Sequence, residues 1–316
     1  MKVIVAGGTG FLGNQVTTSL LAAGHRVVLL ARGTRTTASA EGVEVVLCDV
    51  GAGPIPLEPL RDSDALVNLV GIKREEGTQT FARVHVDAMH HLLAAAKVLG
   101  LRRFVHVSVV CSRPDSRSGY HNTKWLAEEL VRASDLDFTI LKPGVIYGPG
   151  DDMVTHLVKM IRFAPIFPLV GRGKSILQPV HARDVAQTAL RALDCDRASG
   201  KTYDVVGPKR MTLREVVRTV AEGVGLKLWI VDMPIGFHRI AVHLMSLARR
   251  PLSTPAQLQM LVDGLYGDPG PAEADLGVEP SPFTVDVVRE LASSIPPLFG
   301  FSLRLVAGQQ RNYWSA

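Results

Sequence analysis

Gly7, Gly10 and Gly13 recur every third residue in GGTGFLG, directly after the apolar run Val3–Ala6 and at the head of a helical period that begins at Phe11. Strand, glycine turn and helix in that order predict the first unit of a parallel sheet with crossover helices. A side chain at such a turn would hold the backbone away from a pyrophosphate, whose charge gains from bare amides and from the positive end of the helix dipole. The loop therefore predicts dinucleotide binding through Gly7, Thr9, Gly10, Phe11, Leu12 and Gly13. A tight turn without a ligand would need one glycine rather than three.

Short β-rich runs then alternate with helical periods: Val27–Leu30, Val43–Leu47, Ala65–Leu69, a helix near Phe81–Leu99, Phe104–Val107, a helix Tyr120–Ala133 and a strand Phe138–Leu141. This alternation predicts an α/β Rossmann fold, a doubly wound parallel sheet with helices on both faces. Proline and glycine in PGVIYGPGDD, Pro143–Asp152, mark a change of organisation. Beyond it the pattern reads as a helix Met153–Phe163, a strand Ile176–Val180, a helix from Ala182, a strand Thr202–Val206 and a helix from Leu213, begun by a capping box of Thr212 and Glu215. The expected division is a core of residues 1–150 to which 176–206 return, a smaller C-terminal lobe of 151–294 for substrate or partner, and a tail, 295–316.

In such a fold the second strand usually ends on an acidic residue that hydrogen-bonds the adenosine ribose of NAD. Ala31 and Arg32 stand there instead. A guanidinium can clamp a 2′-phosphate bidentately and stack on adenine, so NADP(H) is the expected cofactor and NAD(H) the alternative. Arg35 could share this role, and a solvated loop cation is the ordinary reading of either arginine. Asp49, closing the third strand in LCDV, is placed either to meet the adenine amino group or to cap a helix.

The 316 residues, 47 % hydrophobic and 21 % charged, supply ample apolar material for a large core. A formal charge of +5 and a pI near 9.2 suit an acidic ligand such as a phosphorylated cofactor, but the cations are scattered without interleaved aromatics, which argues against nucleic acid. Cys48, Cys111 and Cys195 show no CxxC spacing, so neither a disulfide framework nor a metal site is expected, and a reducing cytoplasm is the default compartment. No window reaches the roughly 18 apolar residues of a spanning helix. Ile235–Ala248 reads as a short amphipathic helix that packs on the core or touches the inner face of a membrane or a protein partner.

GGTGFLG, LCDV, NLVG at Asn68–Gly71, VHVSVV, YHNTK, LKPGVIYGPGD and QPVHARDVA follow one another over roughly residues 1–265. Together they resemble the extended and atypical short-chain dehydrogenase/reductases, commonly labelled NAD-dependent epimerase/dehydratase, and most of all the branch that holds the accessory NAD(P)H-binding subunit of respiratory complex I and its bacterial relatives. The resemblance implies further cofactor contacts at Val50, Leu69, Val70, Gly71, Pro143 and Val145. It also implies a catalytic Tyr and Lys four residues apart, matched by Tyr120 and Lys124, with Lys124 holding the nicotinamide ribose as well. Residues i and i+4 are neighbours on a helix, so the ammonium can lower the phenol pKa while the phenol exchanges a proton with the substrate oxygen. A chance surface pair is the alternative.

One departure from the family pattern stands out. The run of serines that the family places at the end of the fifth sheet strand has Ser108 first and Val110 third, and valine cannot donate a hydrogen bond to a developing oxyanion. Ser108 is the candidate third catalytic residue, although its place also suits facing the cofactor or buttressing the strand, and Cys111 and Ser112 are near enough to substitute if the loop shifts. The short stretch from Ser108 to Tyr120 leaves little room for a substrate loop, which puts sugar-nucleotide epimerase chemistry in doubt. Lys142 stands where relatives usually have Arg, and His181 with Asp184 matches a structural motif that ties the lobe to the core. His85, His90, His91, His238 and His243 lack carboxylate company and ligand spacing, so surface or packing roles are expected of them. Three functions remain open: an NADP(H)-dependent oxidoreductase acting on a small carbonyl or quinone-like substrate with a link to respiratory metabolism, a non-catalytic protein holding NADPH as a structural or redox-sensing element, and a sugar-nucleotide epimerase or dehydratase.

Overall fold

A computed structural model of the chain describes residues 1–33, 41–116, 118–164, 166–233 and 264–296. Arg35, the segment Ile235–Ala248 with His238 and His243, and the tail from 297 lie outside the described residues. The first half contains β1 (Lys2–Ala6), α1 (Phe11–Ala22), β2 (Arg26–Ala31), β3 (Val43–Leu47), β4 (Ala65–Asn68), α2 (Ala88–Leu99), β5 (Arg103–Val107), α3 (Gly119–Arg132) and β6 (Phe138–Pro143). The second contains β7 (Val145–Tyr147), α4 (Met153–Phe163), β8 (Ile166–Val170), β9 (Ile176–Leu177), β10 (Pro179–His181), α5 (Ala182–Asp194), β11 (Lys201–Val205), β12 (Met211–Thr212), α6 (Leu213–Val224), β13 (Trp229–Met233), α7 (Gly270–Leu276) and α8 (Val285–Ser294).

Seven strands form one parallel sheet in the order β3-β2-β1-β4-β5-β6-β11. This is the doubly wound arrangement, whose chain direction across the sheet reverses between β1 and β4, and ligands of such sheets bind beyond the carboxyl ends of the strands at that point. Side chains alternate between two apolar layers because the strand period is two. Val3 and Val5 face α1 and α5, in a cluster with Val16, Leu20, Val185 and Ala189. Ile4 and Ala6 face α2 and α3, with Met89, Leu92, Ala127 and Val131. Every residue of β4 and β5 is buried, as a central parallel strand covered on both faces must be.

A third apolar cluster builds the smaller lobe from α4, β8, α6 and α8, with Val154, Leu157, Ile161, Leu169, Val216, Val220 and Leu291. The lobe is discontinuous in sequence: α5, β11 and α7 pack in the cluster of the large sheet instead. Of the stretch 176–206, only β11 joins that sheet. The expected strand Ile176–Val180 is broken at Gln178, whose amide hydrogen goes to the Leu265 carbonyl at 2.9 Å, and it divides into β9, antiparallel to β12, and β10, parallel to β7. The parallel pair β8 and β13 was not foreseen, because Pro168 in IFPLV argues against a strand; it is tolerated in a two-stranded ribbon where each strand is an edge.

The helix expected near Phe81–Leu99 also begins differently. Ala82–Asp87 is a stretch of π-helix that runs into α2. The wider turn changes which side chains face the sheet and buries His85.

Candidate functional site

Gly7 has φ +81, and a Cβ there would lie 3.0 Å from the backbone of Leu69 and Val70, so β1 can pass β4 this closely only at glycine. A Cβ on Gly13 would meet the Gly7 carbonyl at 2.3 Å. Internal packing thus accounts for two of the three glycines. Gly10 is different, since its nearest neighbour would be a single backbone oxygen at an ordinary 3.4 Å. It is the exposed N-cap of α1, with no side-chain cap hydrogen bond and no acidic residue in the first turn. An uncapped helix N-terminus kept bare by glycine, with Thr9 exposed and Phe11 and Leu12 half-buried around it, fits a pyrophosphate.

Arg32 follows β2, is exposed, and donates from its guanidinium to the Gln79 side-chain oxygen. Asp49 follows β3. Its carboxylate accepts from Arg83 Nη2 at 2.9 Å and from the Gly51 amide at 3.1 Å, so the acid is neutralised from within and closes a turn rather than a helix. Arg83 also donates to the carbonyls of Gly51 and Thr78. Nothing in the sequence spacing pointed to it. Val50 is buried, and its carbonyl is 2.7 Å from His91 Nδ1. With Asp49 engaged by Arg83, the partner of the Arg32 guanidinium among the described residues is the neutral Gln79 amide.

Tyr120 and Lys124 lie one turn apart on α3, whose N-cap Ser118 accepts from the His121 amide. Lys124 is 4 % exposed and its Nζ donates to the Val107 carbonyl at 2.9 Å, at the end of β5. Burial lowers its pKa to about 8, against the pull of the nearby Glu128 carboxylate. The Tyr120 ring is half-buried between Phe81, 5.9 Å away, and His85, 5.5 Å away, both edge-on. Removal from water pushes the phenol up to about 12. Gly71 is exposed above this pair: a Cβ there would sit 3.7 Å from His85 Nε2 and 3.8 Å from Lys124 Nζ, so its missing side chain leaves room over the ammonium that no packing contact requires. Leu69 and Val70 beside it are half-buried, and the Val70 amide donates to Asn68 Oδ1 at 3.0 Å, which shapes the turn after β4.

Ser108 is placed elsewhere. Its hydroxyl donates to Glu128, a fully buried carboxylate two turns below Tyr120, and Ser112 donates to the same oxygen. The other oxygen accepts from Arg132 Nη2 at 2.7 Å and lies 3.5 Å from Lys142 Nζ. Ser108 therefore ties β5 to α3, the buttressing role, and its proton is committed away from Tyr120. Val110 is 1 % exposed, its amide donates to the Pro143 carbonyl at 3.0 Å, and its side chain joins the lobe's apolar cluster. Packed against that cluster are Cys111, Tyr120, Val145 and Met153, each partly open to solvent, so one side of Tyr120 rests on the apolar core of the lobe. Glu128 was missed by sequence reasoning, although Tyr120, Lys124, Glu128 and Arg132 repeat every four residues along one helix face.

His181 caps α5 by accepting from the Arg183 amide at 3.1 Å and meets Tyr147 edge-on at 5.1 Å. Asp184 accepts from the Ser281 amide at 2.7 Å and from its hydroxyl at 3.2 Å, and Tyr147 packs on Phe283. These contacts join the start of α5 to the segment that leads into α8. Among the described residues no cluster of three or more His, Cys, Asp or Glu is arranged to hold a metal ion, and no helix is long and apolar enough to cross a membrane.

Residues 3–206 match the NAD dependent epimerase/dehydratase family. The chain belongs to this family. Its members are NAD(P)-dependent, and the seven-stranded parallel sheet is their Rossmann-like fold. This family member is 26 % identical over 298 residues to the mouse mitochondrial NADH dehydrogenase [ubiquinone] 1 alpha subcomplex subunit 9, covering 91 % of the chain and 78 % of that protein. It is 28 % identical over 235 residues to the ceramide reductase of Caulobacter vibrioides, covering 73 % of each chain. Among solved structures, the UDP-glucuronic acid 4-epimerase of Bacillus cereus, in complex with UDP-glucuronic acid and NAD, superposes with a TM-score of 0.74 at 18 % identity, over 93 % of this chain and 99 % of the other.

Proposed function

We propose that this family member binds NADP(H) across the carboxyl ends of β1, β2 and β4 and works as a reductase of an apolar carbonyl or quinone, with Tyr120 as the proton donor. The observation that carries this reading is the Tyr120 and Lys124 pair, one turn apart on α3, beneath the open face of Gly71. Gly10 and the start of α1 would hold the pyrophosphate, and Arg32, free of any acidic partner at Asp49, the 2′-phosphate. The nicotinamide supplies the hydride when bound. A phenol held near 12 is protonated at neutral pH, which suits delivery of a proton to the carbonyl oxygen that becomes the alcohol. The Lys124 ammonium, pinned by the Val107 carbonyl, stabilises the phenolate left behind until solvent reprotonates it. Tyr120 rests on the apolar cluster of the lobe, and Val110 stands in the third place where a hydroxyl would serve a sugar, which supports an apolar substrate over a nucleotide sugar.

A second reading is favoured by Ser108 and Val110. With the serine committed to Glu128 and valine in the third place, neither position offers a hydroxyl donor to a substrate oxyanion, as expected if NADPH is held as a structural or redox-sensing element. The similarity to a respiratory-chain subunit supports a protein partner and a location at the inner face of a membrane under this reading. Turnover decides between them. Tyr120→Phe should lower NADPH oxidation on a responsive carbonyl or quinone by about 10²–10⁴-fold without loss of nucleotide binding. Tight NADPH binding with no oxidation across the panel by the wild-type chain would instead support the structural cofactor.

A further inference from the structure

Three segments meet at one imidazole. His85, 3 % exposed in the π-helical turn before α2, accepts at Nε2 from the Ile72 amide at 3.2 Å. Because that nitrogen receives a hydrogen, the proton of the neutral ring sits on Nδ1 and is donated to Thr123 Oγ1 at 2.8 Å. Thr123 passes its own hydroxyl hydrogen to the Gly119 carbonyl at 2.8 Å, in the first turn of α3. The ring stacks on Phe81 at 5.6 Å and presents its face or edge to Tyr120 at 5.5 Å and 82°. Protonation of Nε2 would oppose the Ile72 donor beside the Lys124 ammonium, and burial with that ammonium lowers the imidazole to about 2. The ring is thus a neutral two-ended linker.

We infer that His85 is the positioning residue that locks the Tyr120 helix to the Gly71–Ile72 peptide, so that the phenol and the open face over Lys124 keep one fixed separation. The inference rests on the reading that this face receives the nicotinamide half of NADPH. It does not make His85 an acid or a base. Glutamine can replace both of its bonds, accepting from Ile72 through its carbonyl and donating to Thr123 through its amide, whereas phenylalanine keeps only the ring packing.

The test uses the full chain as His85→Gln, His85→Phe and Thr123→Val, each read by NADPH titration and by ultraviolet titration of Tyr120 against a Tyr120→Phe background. His85→Phe, which loses both hydrogen bonds of the linker, should weaken NADPH about 5- to 10-fold and move the Tyr120 midpoint down toward that of a solvated phenol. Thr123→Val, which cuts the same linker without touching the ring, should move both readouts the same way, and the double variant should add little to either. His85→Gln should stay within about 2-fold of wild type in NADPH affinity. Wild-type values in both His85→Phe and Thr123→Val would overturn the inference, as would a His85→Gln chain no better than His85→Phe. If the wild-type chain binds no NADPH, the cofactor reading fails, and the Tyr120 titration alone still decides the role of His85.

Discussion

Successive turns of α3 carry opposite environments. At the N-terminal end Tyr120 lies among Phe81, a neutral His85 and aliphatic side chains. Two turns further on, the fully buried Glu128 is ringed by Arg132, Lys142, Ser108 and Ser112. Lys124 stands between, its charge facing a backbone carbonyl on one side and the carboxylate field on the other. The difference teaches how one helix can hold a fully satisfied buried charge at one end and a half-buried phenol in apolar company at the other. Charge is concentrated where the carboxylate is satisfied, which fixes the helix on β5 and β6, whereas burial among apolar rings keeps the Tyr120 phenol protonated at the other end.

The anchor end should break hardest. Glu128→Ala would leave Arg132 and Lys142 beside an emptied buried site and should cost about 3–5 kcal/mol of stability in denaturant unfolding, with Ser108 and Ser112 losing their acceptor. A loss below about 1 kcal/mol would mean that water replaces the carboxylate and that the anchor is weak.

The middle residue gives a sharper contrast, because stability and turnover should respond to pH in opposite directions. Burial lowers Lys124 to about 8, whereas an unfolded lysine titrates near 10.4, roughly, so between these values the unfolded chain holds a proton that the folded chain has released. The Lys124 contribution to stability therefore rises with pH across that window, measured as the difference between wild type and Lys124→Met. Under the proposed reading, carbonyl reduction should fall over the same window as the ammonium one turn from Tyr120 is lost. A kcat/KM profile flat through pH 8 and beyond, on an enzyme that turns over, would remove Lys124 from the chemistry.

Ser108→Ala should do least. It removes one of four partners of Glu128, worth about 1 kcal/mol of stability, and should leave turnover within a few-fold of wild type. A drop of 10²-fold or more, on the scale of a lost acid–base group, would restore Ser108 to the catalytic set.

The parallel sheet and the glycine turn were legible because they follow from local periodicity: alternating apolar runs, then Gly7, Gly10 and Gly13 at a strand end. Even there the reasons divided, since close approach to Leu69 and Gly7 demands glycine at 7 and 13, and only Gly10 is bare without an internal cause. The Tyr120 and Lys124 spacing was legible because i and i+4 share a helix face. His85 and Arg83 were not, because a π-turn shifts the face they occupy, and a period of 3.6 assigns them wrongly. Glu128 was hidden for another reason. A glutamate on an amphipathic helix is normally solvated, and its burial depends on Ser108, Ser112 and Lys142, contacts made only after β5 and β6 pair.

Calorimetric titration of the wild-type and Arg32→Ala chains with NADPH and NADH tests the cofactor face most directly. The predicted result is tighter binding of NADPH than NADH by the wild-type chain, with Arg32→Ala losing about 1.5–3 kcal/mol of affinity for NADPH and little for NADH. Equal affinity for the two nucleotides, or an equal loss of both on removing Arg32, would contradict it.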